Sequence, residues 1–216
     1  MELIGFTGTH VTRLFNVMRP SGASPLPRLI KAVQERYAFQ IVPQDQELLA
    51  DKFFFRMGVF EENAIDSFEV YTDGVVARGR CNSDVLDAFL DDAEHWFNSA
   101  LEARRIETHS ISRNYESGVV IQATDALLSA LSPLDRVCSA ISSSLQKANG
   151  ANIAFHPFGF VLSPEDTKIS GLRPVQFRLE RKLGTDFDKG LFMSNAPLRT
   201  DDHLKLLGDI EKSLAR

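Results

Sequence analysis

Apolar residues along this chain either alternate with polar ones or recur at helical spacing, and the two periods divide it into elements. Residues 3–18 read as a strand region interrupted by Gly5 and Gly8, and the stretch RPSGASPLP then reads as a loop. From Leu26 the pattern turns helical, with Leu26, Leu29, Ile30 and Val33 on one side, Ser24 placed to cap and prolines suited to a first turn. YAFQIVP (37–43) alternates and ends in proline, so a strand is expected there, and KFFFRMGVF is a second strand. Residues 67–80 supply two more, SFEVYT and VVARGR, joined at Asp73-Gly74.

The longest amphipathic stretch begins near Ser83. At 100° per residue, Val85, Leu86, Phe89, Leu90, Ala93, Trp96, Phe97, Ala100 and Leu101 fall on one arc, while Asp84, Asp87, Asp91, Glu94, His95 and Asn98 take the opposite, solvated arc. Ser83 or Asn82 is placed to cap this helix. The second half repeats the order. SGVVIQAT is a strand, and Leu134, Val137, Cys138, Ile141 and Leu145 form a helical stripe. NIAFHPFGFVL, PVQFRLERKL and GLFMSNAPL are strands, and a last helix, capped by Thr200, covers 201–214. A local echo accompanies the repeat: SPLPRLIKAV from Ser24 and SPLDRVCSAI from Ser132 share five of ten residues.

Strands joined by short links and bracketed by helices define an α+β fold of largely antiparallel sheet, with helices packed on one face. The expected organisation is a single compact domain over 1–216, built from two pseudo-repeats of a strand–helix–strands–helix unit, about 1–104 and 105–216. One continuous sheet and two packed lobes both satisfy the pattern. At the level of fold alone the arrangement resembles duplicated α+β proteins such as the saddle-shaped TATA-binding protein, and no residue is carried over from it.

Charge removes one role that the resemblance implies. With 24 basic and 29 acidic side chains the formal net charge is −5, which lacks the basic footprint that neutralises phosphates, so no nucleic-acid partner is expected. No segment approaches the roughly 18 uninterrupted apolar residues of a membrane helix, and the N-terminus lacks the basic flank of a secretory signal. Two cysteines, Cys81 and Cys138, are too few for a disulfide framework and neither lies in C-x-x-C. A cytoplasmic location is expected.

The Asp73-Gly74 pair is a strong two-residue hairpin signal, favouring a type I′ turn. That turn sets Tyr71 opposite Val76, Val70 opposite Ala77 and Glu69 opposite Arg78. Phe68, Val70, Val75 and Ala77 then share the core face, and Glu69, Tyr71, Val76, Arg78 and Arg80 the other. Arg78 is read as the partner of Glu69, an exposed pair contributing up to about 1 kcal/mol; the sharper reading aims Arg78 and Arg80 at an anionic partner. His95 lies four residues after Asp91 on the solvated arc, without a nucleophile. His156, in AFHPFGF, is read as a structural histidine at a sheet edge; the sharper reading has it line an apolar pocket with Phe158 and Phe160. No metal-ligand spacing, P-loop, dinucleotide fingerprint or G-x-S-x-G occurs, so no cofactor or metal is expected.

Phenylalanine is the compositional oddity: sixteen Phe stand against three Tyr and one Trp. In FFF (53–55), Phe53 and Phe55 face one way and Phe54 the other, which implies cover on both sides or a contact surface. These readings lead to a non-catalytic protein-interaction or assembly protein that self-associates or binds a protein partner. Ligand- or partner-binding residues are expected among Tyr71, Arg78, Arg80, His156 and Phe158. The alternatives are a small-molecule-binding domain with a Phe-lined pocket and an enzyme of unrecognised class.

Overall fold

The computed structural model describes residues 1–15, 26–44, 52–71, 73–100, 110–150, 152–165, 174–186 and 189–214. Its first half runs β1 (Glu2–Phe15), α1 (Leu26–Tyr37), β2 (Lys52–Phe60), β3 (Asn63–Tyr71), β4 (Gly74–Gly79) and α2 (Ser83–Ala100). The second runs β5 (Ser110–Gln122), α3 (Asp125–Ala130), a 3-10 turn (Ser132–Leu134), α4 (Asp135–Asn149), β6 (Gly159–Leu162), β7 (Phe177–Arg181), β8 (Leu191–Ala196) and α5 (Thr200–Leu214). Ser24 and the junction at 102–109 lie outside the described residues.

All eight strands form one continuous antiparallel sheet in the order β2-β3-β4-β1-β5-β8-β7-β6. Read outward from the central β1–β5 pair, each half places its first strand innermost, then its fourth, third and second. The fold is therefore α+β, and α1, α2, α3 and α5 cover one face of the sheet.

Alternation decides what those helices cover. Val11, Ile65, Phe68 and Ala77 point to the helix side, where Leu86, Phe89, Leu90 and Ala93 of α2 and Ile30 and Val33 of α1 bury against them. Seven of the sixteen phenylalanines lie in or against this layer. Phe68 meets Phe89 edge-on at 5.2 Å between ring centres, Tyr37 meets Phe89 at 4.9 Å, and Phe39 packs against both Phe55 and Phe68, which stack on each other at 5.9 Å. Each fully buried ring contributes roughly 2–3 kcal/mol. Gly58 is required beneath it, because a Cβ there would collide with the Phe39 ring. In the second half Val119, Ile121, Leu179 and Phe192 pack against Leu127 of α3 and Leu207 of α5.

Several expectations change. Residues 37–43 are not a strand: Tyr37 ends α1, Ala38 turns the chain at φ 50°, and only Ile41 bridges to β2, opposite Arg56. The type I′ signature sits one hairpin earlier than expected. Glu61 and Glu62, between β2 and β3, both have positive φ (49° and 44°), whereas Gly74 does not and belongs to β4. Gly74 is there for contact, since a Cβ would strike the Arg13 carbonyl of β1. Tyr71 consequently pairs with Gly74, Glu69 with Val76 and Ser67 with Arg78, two residues from the expected register. A slip of two preserves the faces, because side chains alternate with period two.

In the second half, only 159–162 of the NIAFHPFGFVL stretch is strand. α4 forms where its stripe predicts, yet none of its residues is buried, and Cys138 is half-exposed instead of packed in a core. Cys81 is the buried thiol; burial first, and Asp66 second, push it up to about 11, so it is inert.

Candidate interaction face

Helices α1, α2, α3 and α5 share one side of the sheet and α4 buries none of its residues, so no described helix packs its side chains against the opposite side. Register brings the polar residues of that side into a row across the strands. Ser67 of β3 lies opposite Arg78 of β4, Arg78 opposite His10 of β1, and His10 opposite Glu116 of β5. At about 4.8 Å per strand the row spans roughly 15 Å.

Its contacts are continuous. Glu69, only 8% exposed, accepts hydrogen bonds from Arg78 Nε (2.8 Å), Tyr71 Oη (2.6 Å) and Ser67 Oγ (3.2 Å). Burial pushes the Glu69 carboxyl up, but these donors outweigh it and hold it below its ordinary value. Tyr71 is raised in return, first because its proton is held by Glu69. Arg78 Nη1 lies 3.2 Å from both ring nitrogens of His10, and His10 Nδ1 is 3.1 Å from Glu116 Oε2. The bond to His10 lowers Glu116, against the effect of burial, and Asn195 of β8 adds to the lowering. Phe54, the outward ring of the FFF stretch, closes the end of the row edge-on against Tyr71 at 6.3 Å.

Tyr71 and Arg78 are thus brought together, and the expected Glu69–Arg78 pair is present as a diagonal contact. Arg80 is not part of it: its side chain is 75% exposed and its Nε stands 3.8 Å from Asp66. His156 and Phe158 belong to the segment leading into β6, the edge strand at the opposite end of the strand order, where the Phe158 carbonyl accepts the Arg181 amide of β7 (2.8 Å). His156 is exposed and not on a strand. Phe158 borders a cavity of about 60 Å³ with Arg181, Leu183 and Leu191, well below the roughly 300 Å³ at which ligand pockets begin. His10 and Glu116 were missed because pairing β1 with β5 joins residues more than a hundred positions apart; alternation marks His10 as outward but names no partner.

The helix side holds a second polar cluster, which the helical wheel misassigns. Arg13 has no exposed surface, and its Nη2 donates to the Asp87 carbonyl (2.9 Å) and Oδ1 (2.8 Å), its Nη1 to Asp91 Oδ1 (2.6 Å). Tyr115 Oη and Arg199 also reach Asp87, at 2.8 and 3.2 Å. Asp87 is therefore interior, not solvated. Strand alternation carries the missed signal, since Arg13 falls in phase with Val11. Ser194 Oγ lies 2.9 Å from His203 Nε2, the separation of a nucleophile and its base. Both are fully buried and Ser194 donates to the Arg178 carbonyl (2.8 Å), so the pair is a core contact that substrate does not reach.

Among the described residues there is no cluster of three or more potential metal ligands, and no helix is long and apolar enough to cross a membrane. What the fold defines is an α+β protein with a one-sided antiparallel sheet. No family model and no curated protein matches the chain.

Proposed function

We propose that this chain is a non-catalytic interaction protein that binds a protein partner through the uncovered face of its sheet. The observation that carries the reading is the ordered row of Tyr71, Glu69, Arg78, His10 and Glu116 on a face against which no described helix packs its side chains. Its side chains are fixed by one another before any partner arrives, so little side-chain entropy remains to be lost on binding. Two carboxylates stand against Arg78 and His10, a balance that suits a polar protein surface better than a polyanion. The same reading places the protein in the cytoplasm, in keeping with two free thiols, and derives its halves from an internal duplication. Supporting that origin are the common order of elements and the echo that aligns α1 with the 3-10 turn and α4.

Cross-linking and affinity capture from the native cell, using the full chain as bait, tests the proposal. Partner retention is expected to fall at least tenfold with Arg78→Glu or Tyr71→Ala, and to be unchanged with Arg80→Ala. Retention indifferent to both open-face substitutions, in variants that keep the native circular dichroism, overturns it.

A further inference from the structure

The first half shows how the fold treats the helix that follows its inner strand: α1 buries Ile30, Val33 and Tyr37 against the aromatic layer beside β2. Its counterpart α4 does not follow suit. Leu134, just before it, and Val137 and Ile141, all on one side, are 42%, 55% and 41% exposed. The segment that returns from α4 to β6 lies along the helix, with the Phe155 amide donating to Ser142 Oγ (3.0 Å), and it exposes Ile153, Phe155 and Phe158. The edge strand adds Leu162 on the side of the core-packed Phe160, whereas Val161 between them points to the opposite face. Both halves of the α1-type contact, a helix stripe and the apolar side chains at an edge strand, are thus present and uncovered in one region.

We propose that this region is a self-association surface, in which α4 of one copy seats against the 153–162 segment of a second copy and receives the second copy's α4 in exchange. The occupant is fixed by two observations. The seven residues on this side leave on the order of 600 Å² exposed, most of the roughly 800 Å² that each partner buries in a standard interface and at the upper end of the apolar patches found on monomers. The patch also carries both complementary parts, so a two-fold axis satisfies each part with the other, as an isologous contact requires. The surface is separate from the row on the open face, and its failure leaves that reading untouched.

Light scattering after size exclusion, on the full chain, is the first test: a dimer is expected at tens of micromolar, and a monomer for Val137→Asp/Ile141→Asp. No α4 side chain is buried within one copy, so the variant is expected to keep its fold. The native thiols supply an independent measurement. Cys138 lies on α4 and is half-exposed, whereas Cys81 is buried and silent. Labelling of Cys138 by a thiol reagent is expected to slow at least fivefold as protein concentration rises through the dimerisation range. A native chain that stays monomeric at 100 µM overturns the proposal, as does a variant that stays dimeric or a labelling rate independent of concentration.

Discussion

A guanidinium with no exposed surface, such as that of Arg13, stays charged only while acceptors surround it, because burial alone disfavours the cation. Asp87 and Asp91 supply them, which makes the acidic stripe of α2 half structural. His203 shows the opposite outcome. Burial beside Phe177 and Ser194, only partly opposed by the Ser117 backbone, depresses its imidazole from 6.5 to about 4. The unfolded chain thus takes up this proton near pH 6.5 and the folded chain only near 4. Stability from the neutral imidazole is complete above pH 6.5 and is lost as pH falls toward 4. At about 1.4 kcal/mol per pH unit, roughly 2 kcal/mol disappears between pH 6.5 and 5. Glu69 and Glu116, whose carboxyls are held below their ordinary 4.5, lose their contribution only below that window. Urea midpoints at pH 7 and 5 for the native chain and His203→Gln measure the difference. Equal pH sensitivity in the two proteins would show that His203 is not the group responsible.

At the scale of elements, hairpin geometry offers the clearest lever. Glu61 and Glu62 occupy a two-residue loop with positive φ at both positions, a conformation that costs a residue with a side chain about 1 kcal/mol. Replacing them by Asn-Gly, the pair this turn favours, is expected to stabilise the protein by about 1 kcal/mol and raise Tm by about 2–4 °C. A lower Tm in thermal unfolding would sink the assignment of that turn. The same hairpins show how far local pattern reaches. The strands and the long helix are readable because periodicity is local, and the outward face of Tyr71 and Arg78 is readable because alternation survives a slip of two residues. The register itself is not readable from Asp73-Gly74, since Gly74 is selected by the approach of the Arg13 carbonyl, a contact sixty residues distant in sequence. His10 and Glu116 stay hidden for the same reason, being joined only when β1 pairs with β5. For α4 the stripe foretells a helix but cannot say whether anything covers it.

Across the whole molecule, continuity of the sheet is reinforced where the two halves' final helices meet. The N-termini of α2 and α5 face each other, and each is capped by the other: the Ser83 amide donates to Thr200 Oγ1 and the Thr200 amide to Ser83 Oγ, both at 3.0 Å. Asn82 takes the local role, accepting the Asp84 amide (3.0 Å) and donating to Asp201 (3.0 Å), and Arg199 reaches back to Asp84 (2.7 Å). Two positive helix ends would repel if left bare, and the aspartates in their first turns offset that. Ser83 and Thr200 are both fully buried, so neither amide has water as a substitute. Ser83→Ala and Thr200→Val are each expected to cost about 1–3 kcal/mol in urea denaturation, more than an exposed cap does. Once either bond is lost the helix ends are free to separate, so the double variant should lose less than the sum by at least about 0.5 kcal/mol. Strict additivity would mean that the caps act locally and that the sheet alone couples the halves. Coupling of the expected size, with one unfolding transition in every variant, would place the join between the halves in this reciprocal pair as well as in the β1–β5 seam.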